Sequence, residues 1–140
     1  MQGNNMEYVE HLTKAVKVLK DARDLISLPG TWTKGFLARN ALDKPMLNMH
    51  SPEACKFCAV GALEVSSYNN EATDKNVEDI ATSCLYYAMS ENGWGISGSN
   101  DKEDTQHLHV LMAYDFAVLM AEDDLKEAKR RMKKCSNTCS

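Results

Sequence analysis

The amino-acid sequence predicts a mainly α fold: a compact bundle of about four helices, with a small β-hairpin as an option between helices 1 and 2. Three observations point there. Apolar residues recur at helical spacing in four stretches. Helix punctuation separates the stretches, at Leu28-Pro29-Gly30, Ser51-Pro52 and Asn92-Gly93. The chain has 140 residues, 44% of them hydrophobic, which suits one domain with its own core.

The first helix is expected over residues 5–27. Val9, Leu12, Val16, Leu19 and Ile26 fall on one side of it, beside Ala15 and Ala22. Proline and glycine then stop it. Residues 31–39 read as a short strand, Asp43-Lys44-Pro45 as a turn, and Met46 to Met49 as a return segment. A hairpin and an ordered loop are both open here, and either must lean on the helices. Ser51-Pro52 reads as the N-cap and first residue of a second helix that reaches about Ser67. Its stripe of Ala54, Phe57, Cys58, Gly61, Ala62 and Val65 marks it as the central helix, with Cys58, Gly61 and Ala62 at the closest helix–helix approach.

A polar loop from Asn69 to Lys75 leads to a third helix, capped by Asn76 and buried through Val77, Ile80, Ala81, Cys84, Leu85 and Ala88. Residues 93–103 are rich in Gly, Ser and Asp and are expected to be loop. Asp104 or Thr105 caps the last helix, whose apolar residues are Leu108, Leu111, Met112, Val118 and Leu119. One helical domain thus spans 1–134. A last helix running to Lys134 would be ~45 Å long, so its basic end, 125–134, is expected to bend back, protrude or fray. Residues 135–140 are expected to be a disordered tail.

The net charge of -4 argues against broad nucleic-acid binding. The charge is uneven. Lys126, Lys129, Arg130, Arg131, Lys133 and Lys134 face a single acid, Glu127, so this segment carries +5 and the rest of the chain -9. The segment has no aromatic residue on which a base could stack. Its bland role is to complement a helix C-terminus. Its functional role, through Lys126, Lys129, Arg130 and Lys133, is contact with an acidic partner. No apolar run approaches the ~18 residues of a membrane span, and the polar first residues do not resemble a secretory signal. The five cysteines are therefore expected to be reduced, and the protein cytoplasmic.

Several constellations fall short of chemistry. Gly93-Trp94-Gly95-Ile96-Ser97-Gly98 matches G-x-G-x-x-G, yet no strand precedes it, so a turn with a docked Trp94 is the better reading. Cys55-Lys56-Phe57-Cys58 is a C-x-x-C without the βαβ setting of a redox motif, and Cys58 reads as a small buried hydrophobe. Zinc held by Cys55, Cys58, Cys135 and Cys139 would need ligands from a fraying tail. His107 and His109 are two residues apart on a helix and cannot chelate together. No metal, cofactor or catalytic residue is expected. Asp115 stands out, because it lies on the seam of the last helix between Met112 and Leu119. A carboxylate buried there needs a partner, and Arg39 or the Trp32 indole N–H is the expected one. That tie is either structural or the rim of a small polar pocket formed by Arg39, Asn100, Asp101 and Asp115.

Phe57-Cys58-Ala59-Val60-Gly61-Ala62-Leu63 resembles the signature of a family of small uncharacterised phage and bacterial proteins, an aromatic residue followed by Cys-x-x-Gly-Ala-Leu. Trp32, Gly35, Ala38 and Asn40 match the family's upstream pattern. Asn100-Asp101, Thr105, Asp115 and Ala117 match a downstream one. The resemblance covers about residues 8 to 120. It departs at Ser99, where the family often has Trp, and the basic end lies outside it. The resemblance implies a mainly helical fold and a phage setting, and no established activity. By analogy it suggests a non-enzymatic protein that binds a host protein in the host cytoplasm, for example as an inhibitor of a restriction or phage-exclusion defence, with a homodimer compatible. The alternative is a small-molecule binder or small enzyme using the Arg39/Asp101/Asp115 region. A deep polar pocket would favour the alternative, and an exposed apolar patch the binding protein.

Overall fold

The computed structural model describes residues 2–72, 74–90 and 95–138, and the side chains of residues 5–72, 74–90 and 95–134. Its frame is a pair of long antiparallel helices, α1 (Gln2–Leu25) and α5 (His107–Thr138). Ion pairs mark their register: Arg23 meets Asp115, and Lys20 meets Glu122. Two shorter helices, α2 (Ala59–Asn69) and α3 (Lys75–Met89), pack on this pair, and a six-residue helix, α4 (Ile96–Asp101), sits against both of them. The fold is mainly helical, as the periodicity indicates. The short α4 falls where the glycine-rich segment suggested loop. No helix among the described residues is long and apolar enough to cross a membrane.

Of the predicted face, α1 buries Leu12, Ala15, Val16, Leu19 and Ala22, together with Val18; Ile26, just past its end, is buried too, and Val9 is half-buried. α2 is the central helix. Seven of its eleven residues are buried, and Ser66 donates its hydroxyl to the Val18 carbonyl at 2.6 Å. α3 turns Val77, Ala81, Cys84 and Leu85 inward. Its N-cap is Asp74, which accepts from the Asn76 backbone N–H, so the cap lies two residues before the expected Asn76.

A small antiparallel sheet lies between α1 and α2, pairing β1 (Ala38–Arg39) with β2 (Lys56–Phe57). The hairpin option was therefore right in kind and wrong in partner. The expected turn and return segment supply only an isolated bridge, Pro45 beside Arg39, and a bond from Met46 N–H to the Ala38 carbonyl, while Trp32 bridges the other edge of β2 in parallel. Ser51-Pro52 does not start a helix. Ser51 closes one turn by accepting from Glu53 N–H, and the chain then extends into β2. The backbone of Phe57 is already committed to Thr31 and Thr33, which a helix through this residue would forbid. α2 starts only after Cys58, whose sulfur accepts from Gly61 N–H.

α5 begins at His107 rather than directly after Asp104 or Thr105, since the Thr105 hydroxyl is turned back to the Ser99 carbonyl. It continues to Thr138, through four of the residues assigned to a disordered tail; residues 139 and 140 lie outside the described residues. At 1.5 Å per residue it spans about 48 Å. The basic end does not stand alone: Asn5 and Tyr8 from the first turns of α1 line a groove with Asp124, Ala128 and Arg131.

Candidate functional site

Several of the residues that carry the family resemblance, Trp32, Gly35, Ala59, Asn100 and Asp101, meet in one polar knot where the sheet, α2 and α4 converge. Asn100, fully buried at the end of α4, is its centre. Its Oδ1 accepts from the Trp32 indole N–H at 2.7 Å and from Ala59 N–H at 3.1 Å. Its Nδ2 donates to the Thr33 carbonyl at 3.1 Å and to Asp101 Oδ1 at 2.9 Å. An amide offers two donors and two acceptor sites, so this one is fully used by the protein. Asp101 also accepts from Gly35 N–H. Tyr114, buried on α5, donates its hydroxyl to the Ala59 carbonyl at 2.6 Å, and burial pushes its phenol pKa well up. Cys58 is buried as expected, and burial raises its thiol.

Gly61 explains the glycine of the signature. A Cβ on it would lie 2.0 Å from the carbonyl oxygen of Leu37. The close approach expected of the small-residue stripe is therefore real at Gly61, but it is to the backbone before β1 and not to another helix.

The four residues proposed for a polar pocket do not all meet. Asn100 and Asp101 are joined in the knot. Arg39 lies nearby, but its guanidinium donates to the carbonyls of Lys34 and Asp43 and sits 4.8 Å over the Phe36 ring. Asp115 is elsewhere. It is 55% exposed and paired with Arg23 on α1 at 2.5 Å, not with Arg39 or Trp32. The reason is the rotation of α5. The helix buries Val110, Ala113, Tyr114, Ala117, Val118 and Ala121, a face of mostly small residues that lets α1 and α3 come close. That turns the supposed seam outward. Trp32 instead stacks on His107, with ring planes 5° apart, while His107 Nε2 meets the Ile26 carbonyl.

The same rotation leaves four large apolar side chains in water. Leu108, Met112, Phe116 and Leu119 are 62%, 58%, 55% and 60% exposed. Their spacing of four, four and three residues puts them in one row along α5. Beside the row runs an open groove of about 460 Å³, lined by Met89, Lys102, Asp104, His109, Met112 and Phe116. Sequence reading missed this face because it assigned Leu108, Met112 and Leu119 to the core. The signal was present: Ala113, Ala117 and Ala121 repeat every four residues and mark a second apolar face on the same helix.

Further along α5, Lys126, Lys129, Arg130 and Lys133 are all exposed. Arg130 is held by Glu127 through two bonds of 2.7 and 2.9 Å, and Arg131 adds a third at 3.1 Å. Bonding to Arg130 and then Arg131 lowers the Glu127 carboxyl to about 2. Among the described residues no three His, Cys, Asp or Glu side chains are grouped to hold a metal ion. Residues 91–94, including Gly93 and Trp94, the first two residues of the G-x-G-x-x-G match, lie outside the described residues, as do the side chain of Cys135 and all of Cys139.

No curated protein and no solved structure matches the chain. A model of a protein family of unknown function, DUF6197, matches residues 11–118. That span takes in the knot, Gly61, the sheet and the core of α5 and leaves out the basic end, so the chain belongs to the DUF6197 family of unknown function.

Proposed function

We propose that this protein acts by binding another protein, and that the outer face of α5 is its docking surface. The row Leu108, Met112, Phe116 and Leu119 carries the reading. Soluble chains seldom leave contiguous large apolar side chains in water, and such patches mark interaction sites. Fully burying one side chain of this kind contributes about 1.5–3 kcal/mol. Four half-exposed ones in register therefore supply an anchor, and Met and Phe are residue types enriched at interfaces. The polar knot, by contrast, spends its hydrogen-bonding capacity on the fold.

The finer part of the proposal is that the protein is non-enzymatic and binds a host protein in the host cytoplasm, as an inhibitor of a restriction or phage-exclusion defence. It draws on the resemblance of the three motifs to small phage proteins. The exposed Lys126, Lys129, Arg130 and Lys133 then face an acidic surface, raising the association rate and losing effect as salt rises.

The test is capture from host-cell lysate with the wild-type chain and with Phe116→Asp as baits. A specific protein held by the wild type and lost from the variant, at unchanged melting temperature, is expected. A protein held equally by both contradicts docking through α5.

A further inference from the structure

We infer that the first occupant of the α5 face is a second copy of this chain, paired antiparallel about a two-fold axis that passes α5 between Ala113 and Tyr114. The inference rests on reading that face as a docking surface, and it names the partner. A two-fold interface brings the same patch of both subunits together, so the patch must complement its own reverse. The row on α5 does. Leu108 and Leu119 stand at its ends, with Met112 and Phe116 between them, at nearly equal distances from the midpoint. Reversal sets Leu108 against Leu119 of the second copy and Met112 against its Phe116. The second pairing is a thioether on an aromatic ring, a favourable contact.

Charge selects the direction. A parallel pair would bring two segments of +5 side by side. The antiparallel pair separates them. At 1.5 Å per residue Lys126 lies about 19 Å from the crossing, while the start of α5 at His107 lies about 10 Å from it. Each basic segment therefore passes the beginning of the other copy's α5 and reaches the turn before it, where Glu103 and Asp104 are exposed. Lys34 and Lys102 also lie at that turn, but the acids Asp101, Glu103 and Asp104 outnumber them by one, so opposite charges meet there twice, once for each copy.

Sedimentation equilibrium of the full chain, over a wide concentration range, tests the inference. The wild type is expected at twice the chain mass, and Phe116→Asp at the chain mass with its circular dichroism unchanged and a cooperative melt that, unlike the wild type's, does not depend on concentration. Leu119→Ser serves as a second, milder variant should Phe116→Asp misfold. A wild type that stays at the single-chain mass throughout overturns the second copy; lysate capture lost from Phe116→Asp would then keep the docking face with another occupant. A dimer that survives both substitutions overturns the face itself. Benzoylphenylalanine at position 108 reads the direction. Its dimer-band adduct is expected in the turn around Leu119, and an adduct around position 108 overturns the antiparallel pairing.

Discussion

Asn100 shows what the family signature encodes at the scale of single residues. Its side chain satisfies the first backbone N–H of α2, the Trp32 indole and the Thr33 carbonyl at once. Asn100→Asp keeps the shape but replaces the amide donor with an oxygen facing the Thr33 carbonyl and the Asp101 carboxylate. Leaving buried groups unpaired and adding a charge among them should cost on the order of 3 kcal/mol or more, read as a lower midpoint in urea unfolding. Gly61 is a second such point. In Gly61→Ala the added methyl would press on the Leu37 backbone oxygen, which is held in place by Cys58 N–H. The expected cost is about 3 kcal/mol, a fall in melting temperature on the order of 10 °C. The motif residues themselves were legible in the sequence. Which of them bond one another was not, because Trp32, Asn100 and Asp115 are far apart in the chain and their pairing is settled only by how α4 and α5 pack.

At the scale of elements, the faces of α1, α2 and α3 follow from helical periodicity, because each has one apolar side. α5 has two, and hydrophobicity alone favours its larger residues as core. Packing reverses that choice, since the alanine face brings α5 close to α1 and α3. Ala117→Leu should therefore overpack the α1–α5 contact and cost about 1–3 kcal/mol. Leu108→Ser on the opposite face should leave chain stability within about 0.5 kcal/mol, in conditions where the chain is monomeric. Thermal melts of the two variants check the assignment, and the reverse order would mean that α5 is turned the other way. Helix starts were the least legible feature. Ser51-Pro52 carries a good local signal, but the pairing of Phe57 with residues on both sides outweighs it and delays α2 to Ala59.

At the scale of the whole molecule, titration should set the limits of stability. Burial raises the Tyr114 phenol above its ordinary 10.0 and the Cys58 and Cys84 thiols above their ordinary 9.0. The folded state thus favours their neutral forms, so their contribution is full below the ordinary values and lost as pH rises beyond them. Asp21, bonded by Lys17, Asp74, bonded by Asn76 N–H, and Glu127, at about 2, are lowered. Their contribution is full above the ordinary carboxylate range and lost as pH falls through their folded values. The melting temperature should be flat near neutrality and decline on both sides, more steeply above pH ~9 because the buried groups lie there. The central claim, that the outer face of α5 is covered in the working protein, is tested most directly by two methionines. Met112, on the row, and Met6, on the first turns of α1, are almost equally exposed in the single chain, at 58% and 56%. Their methyl NMR signals, followed as an inert soluble paramagnet is added to the native protein, should separate: Met6 broadened strongly, Met112 protected like the half-buried Met46. Equal broadening of Met112 and Met6 would show the face to be bare and contradict the account.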